Sequence, residues 1–222
     1  MNQHHPDSQW LTEYVAGTLS ESQALCVSTH LSFCNSCSAR AAELNQIGSV
    51  VFDNQPPSAP VDPGLFDEVM KKIERNEATP QPDVQNVVVP LGNMPPAIRK
   101  LMPGGMDNLP WKKLGKRIRI ATLDRLDEHR EVALHKLLPG GAVANHDHHG
   151  QEITVVLCGS FSDQDGIYRA GDFIVRDTGD THRPTANNDE ECICLSVSDA
   201  PVKFTGVLAR FLNPIVAYQH KH

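Results

Sequence analysis

Between Gly140 and Gly159 the chain reads Gly140-x5-His146-x-His148-x3-Glu152-x6-Gly159. Residues i and i+2 of a β-strand point to the same face, so His146 and His148 aim their imidazoles into one space, and a tight turn brings Glu152 round to it. A fourth candidate, His182, lies in Gly171-x5-Asp177-Thr178-Gly179-x2-His182 and would arrive from a neighbouring strand. Three imidazoles and a carboxylate suit a divalent transition metal, zinc being the first choice, with one or two positions left open.

A second constellation, His30-x3-Cys34-x2-Cys37, lies near the start of the chain. On a helix, residues i and i+4 share a face, so His30 and Cys34 present to one point. Cys37 then enters from the first turn of the next helix, behind Asn35 as its N-cap. Soft thiolates with an imidazole select zinc, and a structural zinc site wants a fourth ligand. His5 is the choice for it, with His4 as its rival. A lone Cys-x2-Cys also serves as a redox dithiol, and a lone histidine also packs as an ordinary core residue; the three together favour zinc. Cys26 stands outside the spacing and reads as core.

The elements that must position these side chains fall into two groups. With 222 residues, 40% of them apolar, the chain can bury real cores in one or two units. Proline-rich punctuation at Gln55–Pro60 and again from Thr79 to Pro90 separates a helical first part from a β-rich second part, which places a boundary near residue 85. Residues 1–85 hold eleven acidic against four basic side chains, so the whole net charge of −7 lies there and residues 86–222 are neutral.

In the first part a helix around Trp10 to Ala16 stops at Gly17, and Ser20 with Gln23 forms a capping box for the next. Asp62 and Pro63 read as the N-cap and first residue of a fourth helix, in which Phe66, Val69, Met70 and Ile73 make one apolar stripe. In the second part, Ile118, Ile120 and Thr122, and the alternating run from Val132 to Leu137, read as barrel walls. Trp111 is expected over one opening of the barrel. Thr154, Val156 and Cys158 follow Glu152 at period two and are expected to face the same interior, and Cys192 and Cys194 share a strand face. The thiols of these last three cysteines read either as oxidisable groups near the metal or as small core residues. His149 lies beside the ligands, and His220 and His222 belong to the tail.

The chain has no apolar run of about 18 residues, which excludes a membrane-spanning helix, and its first residues lack the pattern of a signal peptide. A cytoplasmic protein is expected, and six cysteines there are read as metal ligands or buried thiols before disulfides. An acidic zinc module lacks the basic footprint needed to bind nucleic acid directly.

The two glycine-framed motifs resemble those of the cupin superfamily, small double-sheet β-barrels. The first matches at every defining position; in the second, Asp177 replaces the usual proline and Ala186 the usual asparagine, with Asn187 one residue late. The His-x3-Cys-x2-Cys core, with an upstream histidine and the flanking Ala16-Gly17-Thr18-Leu19-Ser20 and Thr29-His30-Leu31, resembles the zinc-binding anti-sigma domain. Together they resemble a ChrR-type anti-sigma factor over nearly the whole chain. The resemblance implies a two-domain α plus β fold, a zinc-binding helical bundle of about four helices (1–85) followed by a cupin sensor barrel (86–222). It implies zinc on His5, His30, Cys34 and Cys37, and the cupin metal on His146, His148, Glu152 and His182. It further implies a non-enzymatic role: binding and inhibiting an extracytoplasmic-function (ECF) sigma factor, and releasing it when the cupin senses singlet oxygen or a related oxidant.

The charge agrees, because an acidic module is steered to the basic surfaces that a sigma factor offers to promoter DNA. The other reading is an enzyme, since three histidines and a glutamate in a cupin are also the ligands of metal-dependent dioxygenases. Against it stand the fused zinc module, the altered second motif and the lack of a second titratable group paired with the site.

Overall fold

A computed structural model describes residues 4–56, 62–75, 94–123, 126, 130–147, 150–199 and the backbone of 203–204. The boundary near residue 85, the stretch from Thr79 to Pro90, His148, His149, His220 and His222 lie outside the described residues.

Helix α1 (Ser8–Ala16) begins where the Asp7 carboxylate accepts from the amides of Gln9 and Trp10, and it stops at Gly17 in the left-handed conformation (φ 69°). α2 (Glu21–Leu31) opens on the Ser20/Gln23 capping box, both halves of which are formed. α3 (Asn35–Asp53) is capped one residue earlier than expected: Cys34, not Asn35, is the N-cap, and its sulfur accepts from the Cys37 amide at 3.5 Å. α4 (Leu65–Glu74) is capped by Gly64, not by Asp62. The Asp62 carboxylate accepts from the Gly64 amide at 2.8 Å, and this local turn uses up the acceptor before the helix starts. α1, α2 and α3 pack on one another, while α4 buries none of its residues. The expected four helices are present, with three in the bundle. A short α5 (Pro96–Lys100) packs on α2.

The strands are β1 (Lys112–Leu114), β2 (Ile118–Thr122), β3 (Glu131–Leu137), β4 (His146–Asp147), β5 (Glu152–Cys158), β6 (Ser160–Ser162), β7 (Ile167–Arg169), β8 (Phe173–Arg176), β9 (Thr185–Ala186), β10 (Cys192–Ser198) and β11 (Lys203–Phe204). An antiparallel six-stranded sheet in the order β1-β2-β3-β10-β5-β8 is joined by a three-stranded sheet β7-β6-β9 and the pair β11-β4. Leu137, Val156, Ile174, Cys192 and Cys194 of the large sheet meet Phe161, Tyr168 and Ala186 of the small one, so the two sheets enclose a common interior. Gly159 makes the β5–β6 corner with φ 70°, and a Cβ there would lie 2.1 Å from the Glu191 carbonyl oxygen, so no other residue fits.

The outer face of the large sheet is equally apolar. Val132, Leu134, Ile153, Val155, Leu157, Leu195 and Val197 form one buried cluster with Leu11, Leu25 and Val27 of the helices and with Ile98 and Met102. The helical module therefore has no core to itself; it is completed by the barrel wall. This explains why β5 and β10 read as nearly continuous apolar runs: one face looks into the barrel and the other into the helices. Each fully buried leucine or valine contributes about 1.5–3 kcal/mol relative to exposure.

Trp111 belongs to this outer cluster and not to a barrel opening. Its indole N–H donates to the Met106 carbonyl at 2.7 Å, and Lys136 lies over its ring. Among the described residues no helix is long and apolar enough to cross a membrane.

Candidate metal centres

His5, His30, Cys34 and Cys37 converge at the start of the bundle, each offering one ligand atom, and these atoms all lie within 4.8 Å of one another. His30 and Cys34 come from the end of α2 and the cap of α3, Cys37 from the first turn of α3, and His5 from the extended segment before α1. The His5 Nδ1 sits 3.4 Å from both sulfurs. His4, the rival, turns away to pack against Tyr168 with ring centroids 4.7 Å apart.

His30 is fully buried. Its Nδ1–H donates to the Gly171 carbonyl at 2.6 Å, while Nε2 is buried with no hydrogen-bond partner. Burial, the largest influence, holds this imidazole below the ordinary histidine value. A neutral ring with one nitrogen fixed by a carbonyl and the other left as a desolvated lone pair is the usual preparation of a metal-ligating histidine. Without an occupant, that lone pair costs about 1–3 kcal/mol. Burial raises the Cys34 thiol, but hydrogen bonds with Ser36 and the Cys37 amide outweigh it and leave this thiol below its ordinary value. Burial and the neighbouring Cys34 push Cys37 up to about 11. Two thiols and two imidazoles with one orphaned acceptor fit a tetrahedral soft cation.

The second group is His146, Glu152 and His182, all buried, with ligand atoms equally close. His182 arrives from the connection between β8 and β9 and not from a strand, and an isolated bridge joins it to His146 at the start of β4, the two exchanging amide-to-carbonyl hydrogen bonds of 3.2 and 3.1 Å. Their Nε2 atoms face each other at 2.9 Å. The Nδ1 of His146 meets the Ala144 carbonyl at 2.9 Å and that of His182 meets the Asp163 carboxylate at 3.2 Å. Both partners only accept, so both Nδ1 atoms carry the hydrogen. With each Nδ1 so engaged, the two Nε2 atoms are the ones turned toward a shared cation. Glu152 is oriented by Ser196, whose hydroxyl donates to Oε1 at 2.7 Å. His148 lies outside the described residues.

The cavity above this group has a volume of about 80 Å³ and is lined by Ile118, Ile120, His135, Thr154 and Cys194 among others. That is room for a hydrated ion and far below the roughly 300–1,000 Å³ of small-molecule sites. Cys158, expected beside the metal, packs instead against the helix-facing cluster, because the register of β5 on β10 shifts between Ile193 and Cys194. Cys194 takes the place on the cavity wall. Cys192 and Cys194 do share a face, their sulfurs 3.7 Å apart. Cys26 is fully buried core, as expected, and burial pushes its thiol far up.

Sequence reasoning missed His135, Asp163 and Arg176. His135 had a signal, since it alternates with Leu134 and Lys136 along β3 and so faces the cavity. Asp163 had none: it lies in a turn nineteen residues before the histidine it touches.

A helical module with a His–Cys metal cluster, completed by the wall of a cupin barrel that holds a His–Glu–His cluster of its own, is the class of protein these features define. Comparison with known proteins gives the family. Residues 103–201 match the ChrR cupin-like domain. Over 212 residues the chain is 35% identical to anti-sigma-E factor ChrR of Cereibacter sphaeroides, spanning 95% of this chain and 96% of that protein. The crystal structure of Rhodobacter sphaeroides SigE in complex with the anti-sigma ChrR matches with a TM-score of 0.76 and 32% identity, over 90% of this chain and 100% of that one. The polyketide cyclase RemF of Streptomyces resistomycificus matches at a TM-score of 0.41 and 17% identity, over 51% of this chain and 92% of its own, too slight a likeness to bear on function. The chain belongs to the ChrR family of anti-sigma factors.

Proposed function

We propose that this protein is a cytoplasmic anti-sigma factor that binds and silences an ECF-type sigma factor and releases it on an oxidative signal, such as singlet oxygen, received by the cupin. The observation that carries the binding half is an apolar surface on an acidic module, left exposed among the described residues. Along α4, Leu65, Phe66, Val69, Met70 and Ile73 are all exposed, Phe66 by 71%; at the end of α3, Ile47, Val50, Val51 and Phe52 are exposed too, Phe52 by 78%. So many large apolar side chains on two neighbouring stretches of chain are the mark of an interface. The net charge of −7 in residues 1–85 suits a basic partner. Likeness to a protein that forms a complex with SigE supports the class of that partner.

We assign zinc to His5, His30, Cys34 and Cys37, and a divalent metal, zinc by preference, to His146, His148, Glu152 and His182, with the domain boundary near residue 85. Zinc ties the segment before α1 to α2 and α3, and it fixes the module that presents the apolar face. In the barrel, the ion supplies a charged centre whose ligands an oxidant can disturb.

The test is co-purification of the full chain with ECF-type sigma factors, followed by Phe66→Asp. A buried charge at the centre of an interface costs at least about 2 kcal/mol, some 30-fold in Kd. Binding unchanged in Phe66→Asp removes the apolar face from the account, and failure to capture any sigma factor removes the function.

A further inference from the structure

The corner that leads from β7 into β8 touches both metal clusters. At its helix-facing side, the Gly171 carbonyl accepts from His30 Nδ1 at 2.6 Å, an orientation permitted by the positive φ (92°) of Gly171. The next two residues hold the peptide before the other imidazole ligand: Asp172 Oδ1 accepts from the His4 amide at 3.3 Å, and the Phe173 amide donates to the His4 carbonyl at 3.0 Å. The ring of His4 packs against that of Tyr168 at a tilt of 50°. His4 is thus held at its amide, its carbonyl and its ring, and His5, its covalent neighbour, is delivered to the two sulfurs from this anchor.

At the barrel side the same corner reaches the other cluster. The Tyr168 hydroxyl accepts from Arg176 Nη2 at 2.8 Å, and the same nitrogen donates to Asp163 Oδ2 at 2.8 Å. That oxygen also receives His182 Nδ1 at 3.2 Å. The Asp163 side chain is buried, and its other oxygen is occupied by the amides of Asp165 and Gly166 at 2.9 and 3.3 Å. A buried carboxylate with both oxygens engaged has one arrangement and passes displacement on instead of absorbing it.

We propose that Asp163, Arg176 and Tyr168 are positioning residues of a relay that couples the barrel's metal ligand His182 to His4 and His5, so that the state of the cupin site sets the metal affinity of the His–Cys cluster. The relay rests on the metal assignments above and gives them a regulatory connection: disturbance of His182 loosens the anchor of His5, and the cluster that holds the sigma-binding module together releases its ion more readily. A contiguous network of hydrogen bonds makes such coupling physically available.

The experiment is a cobalt(II) titration of the full chain against a competing chelator, read at the thiolate-to-cobalt charge-transfer absorption, which is assigned to the His–Cys cluster by its loss in Cys37→Ser. Four proteins form a cycle: wild type, His182→Ala, Tyr168→Phe and the double variant. Tyr168→Phe keeps the ring against His4 and removes only the oxygen that Arg176 reaches. The expected result is a cluster affinity weaker by about fivefold or more in each single variant, with the double variant no weaker than either. Asp163→Asn, which leaves every metal ligand in place, gives the same shift if His182→Ala distorts the barrel. Affinities unchanged in the single variants, or losses that multiply in the double, overturn the relay and leave both sites standing. A wild type without the thiolate absorption overturns the His–Cys site itself, and the relay with it.

Discussion

Phe173→Ala should separate the helical module from the barrel without disturbing the barrel's own metal cluster. The Phe173 side chain is 3% exposed and belongs to the cluster shared by sheet and helices. Its ring meets Trp10 of α1 at 5.8 Å and His30 of α2 at 6.0 Å, both edge-on. Truncating a buried phenylalanine costs about 3–5 kcal/mol, transfer and cavity terms together. Here that loss falls mainly on the helix side, since the residues lining the barrel cavity come from the opposite face of the sheet. Hydrogen exchange resolves it by segment. A loss of 3 kcal/mol in the stability of a locally opening unit speeds its exchange by more than 100-fold, so the amides of α1 and α2 should accelerate by about that factor while those of β3, β5 and β10 stay protected. Exchange in α1 and α2 that matches wild type would refute the shared core, and equal acceleration in β5 would show that module and barrel open as one unit.

Removal of a thiolate tests the first cluster. Cys34→Ser should lose one equivalent of zinc, and structural zinc is worth about 10–16 kcal/mol in zinc-finger peptides; full helical circular dichroism with zinc absent would contradict a structural role. Ser196→Ala removes the hydroxyl that donates to Glu152 and should weaken the barrel's metal affinity by about 10-fold; an unchanged affinity in a chelator competition would make that hydrogen bond incidental. Burial holds both His30 and His135 below the ordinary histidine value of 6.5. The unfolded chain therefore binds protons that the folded chain refuses, and the stability these rings contribute is present above 6.5 and lost as pH falls below it. Urea midpoints of the metal-free chain should drop between pH 7.5 and pH 5.5; equal midpoints would contradict the burial of neutral rings.

Local chemistry was legible wherever it was local. The Ser20/Gln23 capping box, the Gly17 stop and the stripe of α4 rest on spacings of three or four residues, and all three are in the structure. The metal-ligand spacings were readable for a different reason than expected: Cys34 lies past the end of α2, but its amide donates to the His30 carbonyl at 3.0 Å and this turn keeps the two together, while an isolated bridge holds His182 beside His146. Caps went wrong by one or two residues where an upstream acceptor competed, the Cys34 sulfur for Asn35 and the Asp62 turn for its own helix.

What was not legible was tertiary. Val132, Leu134, Val155 and Leu195 announce burial but do not say against what, and only the folded chain puts Leu11, Leu25 and Val27 there. The same limit misplaced Trp111 and Cys158, one drawn into the outer cluster and the other displaced by a shift in strand register. Nothing in the sequence singles out Asp163 or Arg176. They are buried together because each neutralises the other and His182 completes the set.

In the function proposed, holding and releasing fall to different parts: the acidic helical module grips the sigma factor, and the cupin metal site permits release. Sigma-dependent transcription measured with and without a singlet-oxygen generator, in the presence of the wild-type chain or His146→Ala, tests it directly. The wild type should silence transcription in the dark and restore it under oxidant, and His146→Ala, depleted of its barrel metal but with His182 still held by Asp163, should silence it in both conditions. A variant that has lost the barrel metal yet releases normally contradicts sensing by the cupin, and a folded variant that cannot silence at all contradicts the division between grip and sensor.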